Sequence, residues 1–187
     1  MNESFFLFGA GYSALAFARL LAETPGSNAT IVGTTRSTER FPILEAAGVE
    51  PLLFDGTALS DAVRARLKET THIVVSAAPA ESGDPVLVVA ADYIRSEMPA
   101  LRWIGYLSTV GVYGDYGGAW VDEDSECRPV SPRSRERLEA EQAWQALGAE
   151  RGTAVAVLRL PGIYGPGRNA LAQLAAGTAR RLVKPGQ

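Results

Sequence analysis

The residues best suited to chemistry stand near the start of the chain. Gly9-Ala10-Gly11-Tyr12-Ser13-Ala14 follows the apolar run Ser4-Phe5-Phe6-Leu7-Phe8, and Leu15-Ala16-Phe17-Ala18-Arg19-Leu20-Leu21 behind it reads as a helix. Strand, tight glycine turn and helix N-terminus, with the spacing G-x-G-x-x-A, match the dinucleotide fingerprint in its required context. Gly9 permits the sharp turn, Gly11 lets the backbone approach a pyrophosphate, and Ala14 lets the helix pack closely on the strand. The open N–H groups and the positive dipole end of the helix then hold the phosphates. Glycine turns also join strands to helices for structural reasons alone, and here the flanking pattern favours the ligand.

A second group of residues bears on which dinucleotide is held. Residues 29–35 read as a strand after the turn-forming Thr24-Pro25-Gly26-Ser27-Asn28. An NAD site places an acidic residue about 20 positions beyond the glycines, on the ribose 2′-hydroxyl. This chain offers Thr34-Thr35-Arg36-Ser37 instead, with no carboxylate. Arg36 can pair with a 2′-phosphate, and Thr35 and Ser37 can add hydrogen bonds, so NADP is favoured over NAD. The plainer alternative is a solvated arginine at a helix start. Asp55 follows a third strand at residues 49–54, placed either to reach an adenine amino group or to cap the next helix.

Other chemistries find little support. His72 is the only histidine and Cys127 the only cysteine, so no zinc site is expected. His72 sits at the entry end of an apolar strand, away from the carboxyl end where such sheets bind ligands, and reads as structural. The lone Cys127 excludes an internal disulfide and fits a reducing compartment, so a cytoplasmic protein is expected. A net charge of −3 without a basic cluster argues against nucleic acid. The opening apolar run is too short for a membrane span and lacks the basic start of a signal peptide.

The elements that must position these residues alternate along the chain. Helices are expected at 38–47, 59–68, 84–98, 132–147 and 169–179, and further strands at 71–79, 102–108 and 153–160. With 187 residues, 47% apolar, the chain can bury a real core. No linker or repeat divides it. The expectation is an α/β fold with a doubly wound parallel sheet in three α/β/α layers, one Rossmann domain over residues 1–187.

Three strand ends carry a wider likeness. Ala77-Ala78-Pro79 ends the fourth strand, Leu107-Ser108-Thr109-Val110-Gly111-Val112-Tyr113-Gly114 the fifth, and Arg159-Leu160-Pro161-Gly162-Ile163-Tyr164-Gly165-Pro166-Gly167 the sixth. Together they resemble the extended short-chain dehydrogenase/reductases, the NAD-dependent epimerase/dehydratase family, over essentially the whole chain. The resemblance implies that Gly9, Gly11, Tyr12 and Ser13 lie at the pyrophosphate and Arg36 with Ser37 at the adenosine phosphate. It implies Ala77, Ala78 and Pro79 beside the nicotinamide ribose, and Pro161, Gly162 and Ile163 beside the nicotinamide amide. Thr109 takes the place of the family's active-site Ser/Thr, where its hydroxyl would polarise a substrate carbonyl or alcohol.

The chain also departs from the family. Members normally carry Y-x-x-x-K at the start of the long helix, whereas Arg133 and Arg137 occupy those places here. Arginine keeps its proton, so Arg133 cannot act as the general acid/base, although Arg137 could still bond the nicotinamide ribose. Tyr113 is a substitute acid, or else a substrate contact or packing residue. The fingerprint is G-x-G-x-x-A rather than G-x-x-G-x-x-G, and the resemblance implies a smaller C-terminal substrate-binding part that these 187 residues are expected not to include, whether it is cut away or supplied elsewhere. Two functions follow as expectations: an NADP-dependent oxidoreductase or epimerase acting on a sugar-nucleotide-like or other hydroxy/carbonyl small molecule, or a non-catalytic NADP(H) sensor or scaffold. In relatives the helices at 84–98 and 132–147 form a dimer's four-helix bundle, so a homodimer is expected, with Trp144 exposed on that face.

Overall fold

Strand β1 (Ser4–Phe8) sends Phe6 and Phe8 to one side of a sheet and Phe5 and Leu7 to the other, and both sides are buried. Only a strand covered by helices on both faces can be apolar throughout in this way. The computed structural model describes residues 3–179 and places β1 within a six-stranded sheet of order β3-β2-β1-β4-β5-β6. The other strands are β2 (Thr30–Thr35), β3 (Glu50–Leu53), β4 (His72–Val75), β5 (Trp103–Thr109) and β6 (Ala154–Leu160). Every pairing is parallel, with Phe6 opposite Val32 on one flank and opposite Ile73 on the other. The fold is therefore the expected doubly wound α/β sheet.

Helices α1 (Tyr12–Glu23) and α2 (Phe41–Glu45) cover one face through Ala14, Leu15, Ala18 and Leu44. On the other face lie α3 (Asp61–Glu69), α4 (Pro85–Ser96) and α5 (Pro132–Arg151), which bury Val63, Val86, Ile94, Trp144 and Leu147. A short α6 (Ala170–Ala175) follows β6. Among the described residues no helix is long and apolar enough to cross a membrane.

The helix expected over 38–47 is interrupted. A 3-10 turn (Thr38–Arg40) precedes α2, and Phe41 N–H closes it on Thr38 O. A continuous α-helix would need the N–H of residue 42 to reach Thr38 O, and Pro42 has none. The long helix runs past residue 147 to Arg151 and ends where Gly152 takes a left-handed φ of 69°. Arg151 then binds the carbonyls of Ile94, Arg95 and Met98, tying the end of α5 to the end of α4.

Trp144 corrects the sequence reading. It was expected on an exposed dimer face, yet it is fully buried, and its indole N–H donates to Asp84 Oδ2 at 3.2 Å. A charged helix turns its one large aromatic inward because the sheet face beneath is apolar and Asp84 supplies an acceptor for the indole. Tyr106 on β5 lies against the same ring, 6.4 Å between centroids.

The close seating of α5 on β6 depends on Gly148. A Cβ there would collide with Val155 Cγ2 and lie 2.8 Å from Thr153 O. In an exposed helix, alanine in place of glycine stabilises by about 0.5–1 kcal/mol. Gly148→Ala should instead lower stability by about 1–3 kcal/mol, seen as an earlier urea midpoint with unchanged slope.

Candidate functional site

Strand order reverses between β1 and β4, and the chain leaves these neighbours toward opposite faces, β1 into α1 and β4 toward α4. Above the gap lies a cleft of about 590 Å³, walled by the carboxyl ends of the first four strands. Such a switch point is where open α/β sheets bind ligands.

The floor is the glycine turn. Gly9 has φ +80°, a left-handed conformation that a side chain strains, and a Cβ there would stand 3.0 Å from Ala77 N. The turn is held by Gly9 N–H to Thr34 Oγ1 at 2.9 Å and Ala10 N–H to Thr34 O at 2.7 Å. Across the gap, Ser76 and Ala77 N–H both donate to Phe8 O. Gly11 caps α1 without any side-chain bond, and a Cβ on it would meet nothing nearer than Gly9 O at 3.9 Å. The first turn of α1 holds no acidic residue. First-turn N–H groups have no partner within a helix, so this end is a cradle for an anionic group such as a dinucleotide diphosphate.

At the end of β2 the cleft is lined by Thr34, Thr35, Arg36 and Ser37. Ser37 caps the 3-10 turn by accepting from Glu39 N–H at 3.3 Å, which leaves its hydroxyl hydrogen for a further acceptor. Arg40, which sequence reasoning missed, lines the same wall and donates from Nη2 to Ala10 O at 3.1 Å. Its signal was there, an arginine four positions after Arg36, but only the 3-10 turn brings it back to the glycines. Asp55 lines the cleft with Phe54 and Gly56. It does not cap α3, a role taken by Ser60, which accepts from Val63 N–H. Its carboxylate instead accepts from the hydroxyl and N–H of Thr57 at 2.6 and 2.9 Å, bonds that hold its pKa below the ordinary value. An aspartate two residues before its donor satisfies itself locally before it can reach the helix.

Ala77 and Ala78 line the cleft as expected. Pro79, Tyr12 and Ser13 are not among the described residues that do; Ser13 faces an apolar groove on the α1 side of the sheet, with Phe5, Trp103 and Leu158. Pro161, Gly162 and Ile163 form an exposed loop after β6, the edge strand farthest from the switch point on that flank.

The other candidate residues gather at the carboxyl end of β5. Thr109 accepts from Gly111 N–H at 3.2 Å and so starts the 3-10 turn Val110–Tyr113. Tyr113 Oη accepts from Arg159 Nη1 at 2.9 Å, with the guanidinium also over its ring at 4.8 Å. Arg159 is gripped by Glu141, at 2.8 Å from Nη2 and 3.2 Å from Nε to Oε2, and Glu141 is only 1% exposed. The Ser108 hydroxyl donates to the same carboxylate. The Glu141 bond keeps Arg159 more firmly protonated than an ordinary arginine. Glu141 was not singled out from sequence, and Arg159 only as the first residue of the sixth-strand motif, since a charge on a charged helix and one in a strand show no local sign of pairing.

Arg137 faces inward. Its Nη1 donates to Leu107 O at 2.9 Å and to Tyr106 Oη at 3.2 Å. Burial pushes the Tyr106 phenol up to about 12, so it stays protonated at neutral pH. Arg133 is exposed in the first turn of α5. Among the described residues, no group of histidine, cysteine and acidic side chains has the makings of a metal site.

A doubly wound parallel sheet with a glycine turn at its switch point defines the Rossmann class of dinucleotide-binding folds. The chain belongs to the NAD dependent epimerase/dehydratase family, whose profile matches residues 9–185. A functionally unknown conserved protein from Silicibacter pomeroyi DSS is 42% identical, with a TM-score of 0.86 over 100% of this chain and 62% of that one. UDP-glucuronic acid 4-epimerase from Bacillus cereus, solved in complex with NAD, is 19% identical with a TM-score of 0.72, over 92% of this chain and 62% of that one. The dTDP-glucose 4,6-dehydratase of Bacillus anthracis, also in complex with NAD, gives 18% and 0.73, over 94% and 62%. These last two share the fold. No curated protein matches the chain. It thus spans about 62% of the length of these solved structures.

The buried cluster makes a direct prediction. Arg159→Ala leaves Glu141 as an uncompensated buried charge and should cost about 3–5 kcal/mol, against much less for Arg159→Ala combined with Glu141→Leu, both read by urea denaturation.

Proposed function

We propose that this chain binds NADP(H) and serves an oxidoreductase or epimerase acting on a hydroxy or carbonyl small molecule of the sugar-nucleotide kind. The observation that carries the cofactor choice is the pair of guanidinium groups, Arg36 and Arg40, lining the cleft beyond β2. Residues 34–37 there offer no carboxylate to a ribose 2′-hydroxyl. Two cations and the Ser37 hydroxyl make that wall a receptor for a 2′-phosphate. The glycine turn and the α1 N-terminus would hold the diphosphate, and Ala77 and Ala78 leave room beside β4 for the ribose beyond.

Bound NADP(H) supplies hydride transfer. The chain's own part is placement. Thr109, at the carboxyl end of β5, would donate its hydroxyl hydrogen to the substrate oxygen, the other side of that hydroxyl being taken by Gly111 N–H. Tyr113, accepting from Arg159, keeps its own O–H for a second acceptor.

A second reading rests on Arg133 and Arg137. The first is exposed, and the second is engaged with Tyr106 and Leu107. Neither is a tyrosine or lysine able to serve as general acid or base. That favours an NADP(H)-binding sensor or scaffold that kept the fold without the chemistry.

Two measurements separate these readings. Fluorescence titration should show NADPH binding about tenfold or more tighter than NADH, the preference lost in Arg36→Ala and reduced in Arg40→Ala. Equal affinity for both in the wild-type chain would sink the NADP assignment. A panel of carbonyl compounds with NADPH should show turnover that Thr109→Val lowers by about a hundredfold or more. Cofactor binding with no turnover across the panel would leave the sensor reading.

A further inference from the structure

Tyr12 does more than occupy a variable place in the glycine fingerprint. It is the first residue of α1, directly after the uncapped Gly11. Its hydroxyl donates to Pro166 O at 3.2 Å, joining residues 154 positions apart in the chain. A Cβ at Gly165 would collide with that hydroxyl, so the tyrosine fits only where the loop after β6 has no side chain. The guanidinium of Arg168 lies over the Tyr12 ring, 5.5 Å from its centroid.

The segment that carries Arg168 is built, not loose. Gly165 N–H donates to Arg168 O at 2.8 Å and Arg168 N–H returns to Gly165 O at 2.9 Å, which closes residues 165–168 into a tight turn. Asn169 fastens its base, donating from Nδ2 to Gly165 O at 3.1 Å while its Oδ1 caps α6 through Ala172 N–H. The exposed arginine, carried on the loop after the edge strand, is thus held over the side chain of the first residue of α1.

We propose that Arg168 is a ligand of the dinucleotide's diphosphate, steadied on the Tyr12 ring beside the N-terminus of α1. This rests on the dinucleotide reading given above. Stacking uses only the face of a guanidinium and leaves its N–H edge free to form a fork on phosphate oxygens. No acidic residue in the first turn of α1 competes for that edge. A diphosphate could also come from a nucleotide-sugar substrate. Attachment to the first residue of α1 places the cation on the dinucleotide's side.

The test is calorimetric titration of the whole chain and of Arg168→Ala and Arg168→Lys with ADP-ribose, NADH and NADPH, and separately with UDP-glucose as a nucleoside diphosphate sugar of the substrate kind. Arg168→Ala should weaken all three alike, by about tenfold or more, because the diphosphate is common to them. Arg168→Lys should recover part of the loss, and the affinity of Arg168→Ala should fall less steeply with added salt. Unchanged affinity for ADP-ribose in Arg168→Ala would overturn the proposal, as would a loss confined to NADPH, which would put the arginine at the 2′-phosphate. A loss seen only with a nucleoside diphosphate sugar would overturn it in favour of the substrate. A wild-type chain that binds none of the three would overturn the dinucleotide reading itself, and this proposal with it.

Discussion

Strands β1 and β4 run side by side and parallel, and the chain leaves them in opposite directions. Two neighbouring backbones that diverge at their ends cannot fill the space between them, so the cleft is a consequence of topology before any side chain is chosen. The approach is tightest where Gly9 meets Ala77, and Phe8 O takes bonds from both Ser76 and Ala77 N–H. The turn at Gly9 sets where α1 begins. The start of α1 in turn sets Gly11 at the cleft wall, and the arginines beyond β2 have meaning only relative to that point.

Around the next strand end, one ion pair between a buried carboxylate and a half-buried arginine plays an organising part. Glu141 of α5 and Arg159 of β6 meet beneath the 3-10 turn that carries Tyr113, and Ser108 of β5 joins them. Burying a charge pair brings little net stability, because the desolvation of both partners offsets their attraction. Its effect here is geometric. With the carboxylate satisfied by Arg159 and Ser108, α5, β5 and β6 are locked in one arrangement, and the hydroxyls of Thr109 and Tyr113 are presented from a rigid platform.

The same helix also carries Arg137. Arg137 is drawn onto Leu107 O and the Tyr106 ring, a site a lysine would fill less well because a planar guanidinium can stack and donate together. Asp84 caps α4 and accepts from Trp144, so α4 and α5 are joined internally by a polar contact within an apolar core. Burial raises the Asp84 carboxyl above its ordinary pKa. The bonds it accepts are what make a buried acid tolerable there.

What the amino-acid order alone determined was the sheet, its alternation with helices, the glycine turn and the arginine beyond β2. Each of these is written in residues near one another, as apolar runs of strand length, caps, and glycines at fixed spacing, and short-range chemistry can be read directly. Where local reading failed, it failed at competing local chemistry, as where Pro42 broke a helix; Thr57, by holding Asp55, closed one of the two roles open to it, the cap of α3. Tertiary structure alone decided that Trp144 reaches Asp84 across 60 positions and that Tyr12 reaches Pro166 across 154. It alone made partners of Glu141 and Arg159, brought Arg40 onto Ala10 O and set Arg168 over the Tyr12 ring. A charged side chain looks alike in sequence whether solvated or paired. Its partner is chosen by the packing of strands and helices that lie far apart along the chain.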